Sequence, residues 1–117
     1  MHGVNSQTGK RLSGVAHLRQ SVSDILNTPI GSRVLVRDYG SRLPELLDHP
    51  RDETLRLQLI AATASALSRW EPRLSLSQVT VFFPENAAGC VIEIMGRYRA
   101  DQTAITLGDI VIHGAIR

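Results

Sequence analysis

Glu71 and Arg73 stand on either side of Pro72 in the run Trp70-Glu71-Pro72-Arg73, where a long helical pattern gives way to strand-like residues. Proline has no N–H and pushes the preceding residue out of the α region, so the helix stops at Glu71. A helix C-terminus carries partial negative charge, and a carboxylate there is unfavourable by about 0.3–1 kcal/mol unless a cation compensates. Arg69 and Arg73 flank Glu71 and supply that charge. One reading is a helix stop with a surface ion pair, which contributes little. The other is a docking point, where Glu71 takes donors from another chain and Arg73 takes a carboxylate or a helix C-terminus. A site at a helix end, outside the core, leads us to expect a nearly intact fold after Glu71→Ala or Arg73→Ala.

Other residue types with chemical potential do not assemble into a pattern. Glycoside hydrolysis needs two carboxyl groups at a set separation. Glu45 and Asp48 fall on a short helix, Glu71 at the corner, and Glu85 and Glu93 on a hairpin, and nothing in the sequence sets two of them across a cleft. His2, His17, His49 and His113 are scattered without metal-ligand spacing. There is no GxxxxGK[ST] loop, and Ser32 and Ser41 lie in turns without a GxSxG context. The reading is of a chain with no catalytic residues, no cofactor and no metal.

Arg supplies twelve of the thirteen basic residues, with Lys10 the exception. Its planar, weakly hydrated guanidinium suits protein interfaces. The net charge is only +2, with eleven acids among the bases, unlike a protein that tracks phosphates with one basic face. Tyr98 between Arg97 and Arg99 is the one place where an aromatic is interleaved with basic residues. Nucleic acid is therefore not expected as a partner. Neither is a membrane, since no apolar run approaches the about 20 residues of a span. The N-terminus has no apolar signal-peptide stretch, so the chain is expected to be made and kept in the cytoplasm. Cys90, alone and alternating with Ile92 and Ile94, reads as a small buried hydrophobe.

The 117 residues make one domain. Residues 1–12 read as an extended polar arm, 13–73 as a helical part and 74–117 as a sheet part. Ser13 is placed to cap a helix running to Asn27, with Val15, Leu18, Val22, Ile25 and Leu26 on one face. Val34 to Val36 form a short extended piece, and Leu43, Leu46 and Leu47 a short helix that Pro50 ends. Asp52 caps the long helix, whose row is Leu55, Leu59, Ala62, Ala66 and Trp70. Beyond the corner the period becomes two. Val79, Val81 and Phe83 alternate with polar neighbours, residues 84–89 make a hairpin connection, and Cys90, Ile92, Ile94, Gly96 and Tyr98 share a face. Ile105 and Leu107 begin a last strand that Gly108 interrupts, with Ile110, Ile112 and Ile116 on one face. Helices followed by strands give an α+β fold, N-terminal helices packed on an antiparallel sheet of about three strands. The last strand has no following element to cover its edge, which makes it a template for strand addition or simply the end of its own sheet.

The chain resembles the baseplate assembly protein W family of contractile phage tails, which includes the wedge protein once called a tail lysozyme and the related type VI secretion component. Leu18 to Arg33 is similar to the family's opening helix and Thr-Pro-x-Gly-Ser-Arg turn. Asp38-Tyr39-Gly40-Ser41 with Leu43 to Asp48 resembles the next segment, and Glu71-Pro72-Arg73 the family's Glu-Pro-Arg motif. The likeness is nearest to P2-like tails and tail-derived bacteriocins. It implies a structural protein, with sixfold copies in the baseplate, that grips a helical bundle of larger wedge proteins through Glu71, Pro72 and Arg73. It also implies that the last strand, Gly108, Asp109, Ile110, Val111, Ile112, His113, Gly114 and Ala115, meets the first sheath subunits and templates their polymerisation. The family's older name implies the alternative of a peptidoglycan-cleaving activity; a generic nucleic-acid or protein interaction domain is the other alternative.

Overall fold

A computed structural model describes residues 6–85 and 87–114, with side chains from residue 14 onward. The elements run α1 (Ser6–Asn27), α2 (Leu43–Leu46), α3 (Glu53–Trp70), β1 (Leu74–Phe82), β2 (Cys90–Tyr98) and β3 (Thr103–Ile112). The strands form one antiparallel sheet in the order β1-β2-β3, so the architecture is α+β as the sequence predicts. α3 packs along β1, α1 along β3, and α2 bridges the two long helices. α1 and α3 cover the same face of the sheet. Rows that run across the strands in register, such as Val81, Ile92 and Ile110, are almost wholly buried on that face. The row Phe82, Val91 and Val111 lies on the other, where Phe82 and Val111 are exposed.

α3 begins and ends as its sequence predicts. The Asp52 carboxylate accepts a hydrogen bond from Leu55 N at 2.8 Å, satisfying one of the free donors of the first turn. Leu55, Leu59, Thr63, Ala66 and Leu67 are its buried residues. α1 differs from expectation. It starts by Ser6, so the expected arm is helical from residue 6, and residues 1–5 lie outside the described chain. Ser13 is inside the helix rather than its cap. Gln7, Lys10, Arg11 and Leu12 are good helix formers, and Gly9 alone costs only about 1 kcal/mol. Gly14 has a packing role, because a Cβ there would stand 3.0 Å from the Tyr98 hydroxyl.

Val34, Leu35 and Val36 form no strand. They make bends at the tip of a loop, and Leu35 is 96% exposed. The loop's base uses its own main chain, Ile30 N to Ser41 O and Ser41 N to Thr28 O, and no strand runs alongside the tip. An extended piece without a ladder partner has nothing to hold it. Ser41, 2% exposed, staples this base by donating to Leu26 O at 2.8 Å and accepting from Leu43 N.

Two β-bulges keep the sheet's apolar side facing the helices. In β1 the register shifts between Leu76 and Gln78, so inward residues are even-numbered before it (Leu74, Leu76) and odd-numbered after it (Val79, Val81). In β3 the shift falls opposite Glu93, and the inward set passes from Ile105 and Leu107 to Ile110 and Ile112. One extra residue in an edge strand flips the parity of everything beyond it. The expected interruption at Gly108 is thus a bulge inside one continuous strand. The residue in the left-handed region is Asp109, at φ 56. The central strand β2 is regular and buries Cys90, Ile92, Ile94 and Gly96. Burial pushes the Cys90 thiol up to about 11, in keeping with a packing role.

Because Asp109 holds a backbone conformation that glycine adopts without steric cost, Asp109→Gly is expected to preserve or raise stability, by up to about 1 kcal/mol. Asp109→Val is expected to lose more than about 1 kcal/mol, since a β-branched side chain is strained there. Urea unfolding of the two variants checks the pair; equal effects would mean that the bulge is not held by this dihedral.

Candidate functional site

The corner between α3 and β1 is built around a buried carboxylate. Glu71 is the C-cap of α3, at φ −129 and ψ 80, with its N–H bonded to Leu67 O. Its side chain turns inward and is 2% exposed. Arg73 donates to it through both arms of a fork, Nε to Oε2 at 2.9 Å and Nη2 to Oε1 at 3.1 Å. The Ser21 side chain of α1 also hydrogen-bonds to it. Burial by itself raises this carboxyl's pKa. The hydrogen bonds from Arg73 and Ser21 and the Arg73 charge outweigh that, and hold the group below the usual carboxylate range.

The compensating cation is therefore Arg73 and not Arg69. Arg69 pairs with Asp38 and lies over the Trp70 ring, 5.0 Å from its centroid. The expectation that Glu71 waits for donors from another chain is corrected, because its donors come from its own chain. Its place in the core also overturns the reasoning that a helix-end site leaves the fold indifferent to Glu71→Ala. Pro72 and Arg73 are on the outside, with the Arg73 side chain 43% exposed.

Around this corner the loop after α1 folds back. Tyr39 meets Trp70 edge to face at 5.3 Å between centroids. Its hydroxyl donates to Asp24 at 2.5 Å, and Arg33 pairs with Asp24 at 3.1 Å while covering the Tyr39 ring. Partial burial, then the hydrogen bond and charge of Asp24, push the Tyr39 phenol up to about 12, so it stays a donor at neutral pH. Thr28 to Arg33, Asp38 to Ser41 and Trp70 to Arg73, far apart in sequence, thus meet around this corner. A cleft of about 420 Å³ lies beside it, with Ile30, Asp38, Arg69 and Trp70 among its lining residues.

The last strand lies at the sheet edge, as expected, but the edge is not bare. Asn27, the last residue of α1, donates through Nδ2 to Val111 O at 2.9 Å and accepts from His113 N at 3.0 Å. Arg19 donates to Asp109 O at 3.2 Å. Of the expected strand-addition residues, Gly108 to Ile112 are in β3, His113 and Gly114 follow it, and Ala115 lies outside the described residues. Sequence reasoning missed Asn27 and Arg19, because a polar residue on a helix does not announce a partner 84 or 90 residues away.

No three His, Cys, Asp or Glu residues gather into a metal-binding group among the described residues. The candidate acids are dispersed: Glu45 pairs with Arg42, and Glu71 is locked by Arg73. A general acid needs a raised pKa and access to substrate, and Glu71 has neither.

Residues 12–103 match the family described as baseplate wedge protein gp25. The chain belongs to this family. It is similar to baseplate protein W of Escherichia phage P2, 46% identical over 78 residues that span 67% of this chain and 68% of the phage protein. Its fold is similar to that of a chain in the pyocin R2 baseplate after contraction, at TM-score 0.59 and 40% identity, covering 71% of this chain and 83% of that one. It is also similar to a crystal structure from Geobacter sulfurreducens that carries the name of a tail lysozyme, at TM-score 0.68 and 30% identity, covering 80% and 86% of the two chains. The protein is thus a baseplate wedge component of the contractile-tail type found in phages and pyocins. The wedge protein's corner lies within the matched residues, whereas Gly108 to Ala115 lies beyond them.

The lowered carboxyl of Glu71 has a defined pH signature. Its stabilisation is complete above the unfolded carboxylate value and disappears as pH falls through the depressed folded value. Glu71→Gln is expected to cost about 1–3 kcal/mol at pH 7, the range for a charge-assisted hydrogen bond in a partly exposed pair. The difference from wild type should shrink on acidification below the carboxylate range. Thermal unfolding from pH 7 to pH 3 measures this; a constant difference would assign the stability to packing alone.

Proposed function

We propose that this wedge protein is a non-enzymatic adaptor, docking on the helical bundle of larger wedge proteins through the Pro72-Arg73 corner and templating sheath polymerisation through β3. One copy per sixfold position, placed during assembly in the bacterial cytoplasm, suits a single domain with two separate docking surfaces. The observation that carries the first contact is the Glu71–Arg73 fork. Glu71 is buried and fixed by Ser21 and Arg73, so its part is to aim the arginine. Arg73 spends Nε and Nη2 on that fork and keeps Nη1 on a half-exposed side chain beside exposed Pro72. A rigidly held guanidinium whose Nη1 makes no hydrogen bond among the described residues suits a helix C-terminal carbonyl or a carboxylate. The second contact rests on the edge position of β3, whose outward main-chain groups suit a strand from a sheath subunit along Gly108–Ala115.

A peptidoglycan-cleaving activity, which the name of the Geobacter relative raises, has no supporting acid pair here. Purified protein is expected to leave the turbidity of a peptidoglycan suspension unchanged; clearing that Glu45→Gln or Glu71→Gln abolishes would defeat the adaptor reading.

Tagged protein recovered from cells expressing the whole tail gene cluster tests the docking corner. Arg73→Ala takes the main partner from the buried Glu71 carboxylate and is expected to cost about 1–3 kcal/mol in stability, checked by thermal unfolding, and, still folded, to lose at least about tenfold in recovered wedge proteins, the loss of one charge-assisted contact. Arg73→Lys, which keeps the charge and loses the fork, should fall between. Equal recovery by all three forms would place the interface elsewhere.

A further inference from the structure

We propose that the groove between α1 and the outer edge of β3 seats the added strand, and that Asn27 occupies the strand's place until a partner displaces it. The proposal rests on the strand-addition reading above and gives it a seat and a gate.

The geometry of the Asn27 carboxamide carries the argument. In a strand, the N–H and C=O of one residue point to the same side. Val111 and His113 turn these groups away from β2, toward α1. An added strand would donate an N–H to Val111 O and accept from His113 N. Asn27 does both with one amide group, at 2.9 Å and 3.0 Å. Its side chain is a peptide group in miniature, set where the next strand's backbone would lie. Two residues back, at the bulge, Arg19 takes Asp109 O. Positions 109, 111 and 113 are thus the outward positions of this stretch, and α1 meets each of them.

The surroundings fit a main-chain ligand. A shallow groove of about 610 Å³ runs there, lined by Ala16, Arg19, Gln20, Ser23, Asp24, Asn27 and His113. Arg19, Ser23 and Asn27 fall four residues apart on one face of α1, so the helix is a floor along which a chain can lie. This lining offers no apolar pocket, so an occupant would be held mainly by backbone hydrogen bonds. Release of Asn27 leaves no orphaned donor, because Nδ2 also reaches Ser23 O at 3.1 Å. The opposite edge differs. On β1 the Val81 carbonyl is taken by the Arg56 guanidinium, a charge-assisted bond stronger than the neutral pair made by Asn27. β3 is the edge that gives way. Until it does, Asn27 blocks the edge-to-edge pairing that an open strand invites.

The test uses the full chain and, as probe, the purified sheath subunit of the same tail. Three variants are compared with wild type. Asn27→Ala removes the gate; Asn27→Asp keeps the acceptor and loses the donor, and serves if the alanine variant folds poorly. Val111→Pro removes an outward N–H and blocks any added strand while sparing the ladder to β2. Expected are faster amide exchange at His113 in Asn27→Ala but not in Asn27→Asp, which keeps that acceptor, and about tenfold tighter sheath binding in Asn27→Ala, the effect of removing a competing pair of neutral hydrogen bonds, with a smaller gain in Asn27→Asp, which loses one of the two. Binding should be lost in Val111→Pro. Unchanged affinity in both Asn27 variants, with binding still lost in Val111→Pro, would overturn the gate and leave strand addition standing. Unchanged affinity in Val111→Pro, or no sheath binding by any form, would overturn strand addition and the gate with it.

Discussion

A carboxylate removed from water has to be paired, and Glu71 meets that requirement by tying the two halves of the molecule together. Its donors come from Arg73, at the start of the sheet half, and from Ser21, on the first helix. Leaving a charge unpaired at a 2% exposed position costs far more than an exposed ion pair contributes. α1, the end of α3 and the start of β1 are therefore held in one arrangement. The exposed Pro72-Arg73 surface inherits its rigidity from that buried knot. What shows on the surface is an arginine, held by the buried carboxylate two residues before it.

The sheet obeys a second constraint. Helices cover one face only, so each strand must keep its apolar residues on that side along its length. The central strand does so by simple alternation. The edge strands each absorb an extra residue, at Ser77 in β1 and at Gly108-Asp109 in β3. Bulges at edges disturb one ladder and not two, and they add twist that makes an edge less open to casual pairing. The arginines and the asparagine reaching across from α1 and α3 complete that protection by occupying edge carbonyls.

Three segments, after α1, before α2 and after α3, meet in space through Tyr39, Trp70, Arg33 and Asp24. All three lie within residues 12–103, the part that matches the baseplate wedge family. The exposed tip Val34-Leu35-Val36 rises from the same loop, and its apolar side chains are not used within the chain's own core.

The amino-acid sequence by itself determined the class of the fold, the Asp52 cap, the stop at Glu71-Pro72, the buried alternation of β2 and the family, because each rests on local rules: who can donate an N–H, which period a face follows, which short motifs occur in order. It misjudged residues 6–12, where an arm was expected and helix formers prevail, and Val34 to Val36, where strand-prone residues found no neighbour to pair with. Only the tertiary structure decided which arginine answers Glu71, since Arg69 and Arg73 are equally near in sequence and differ in what lies opposite each. It alone decided the bulge registers and the meeting of Asn27 with Val111 and His113. Those contacts join residues more than 80 positions apart, and no local periodicity encodes the approach of a helix end to a sheet edge.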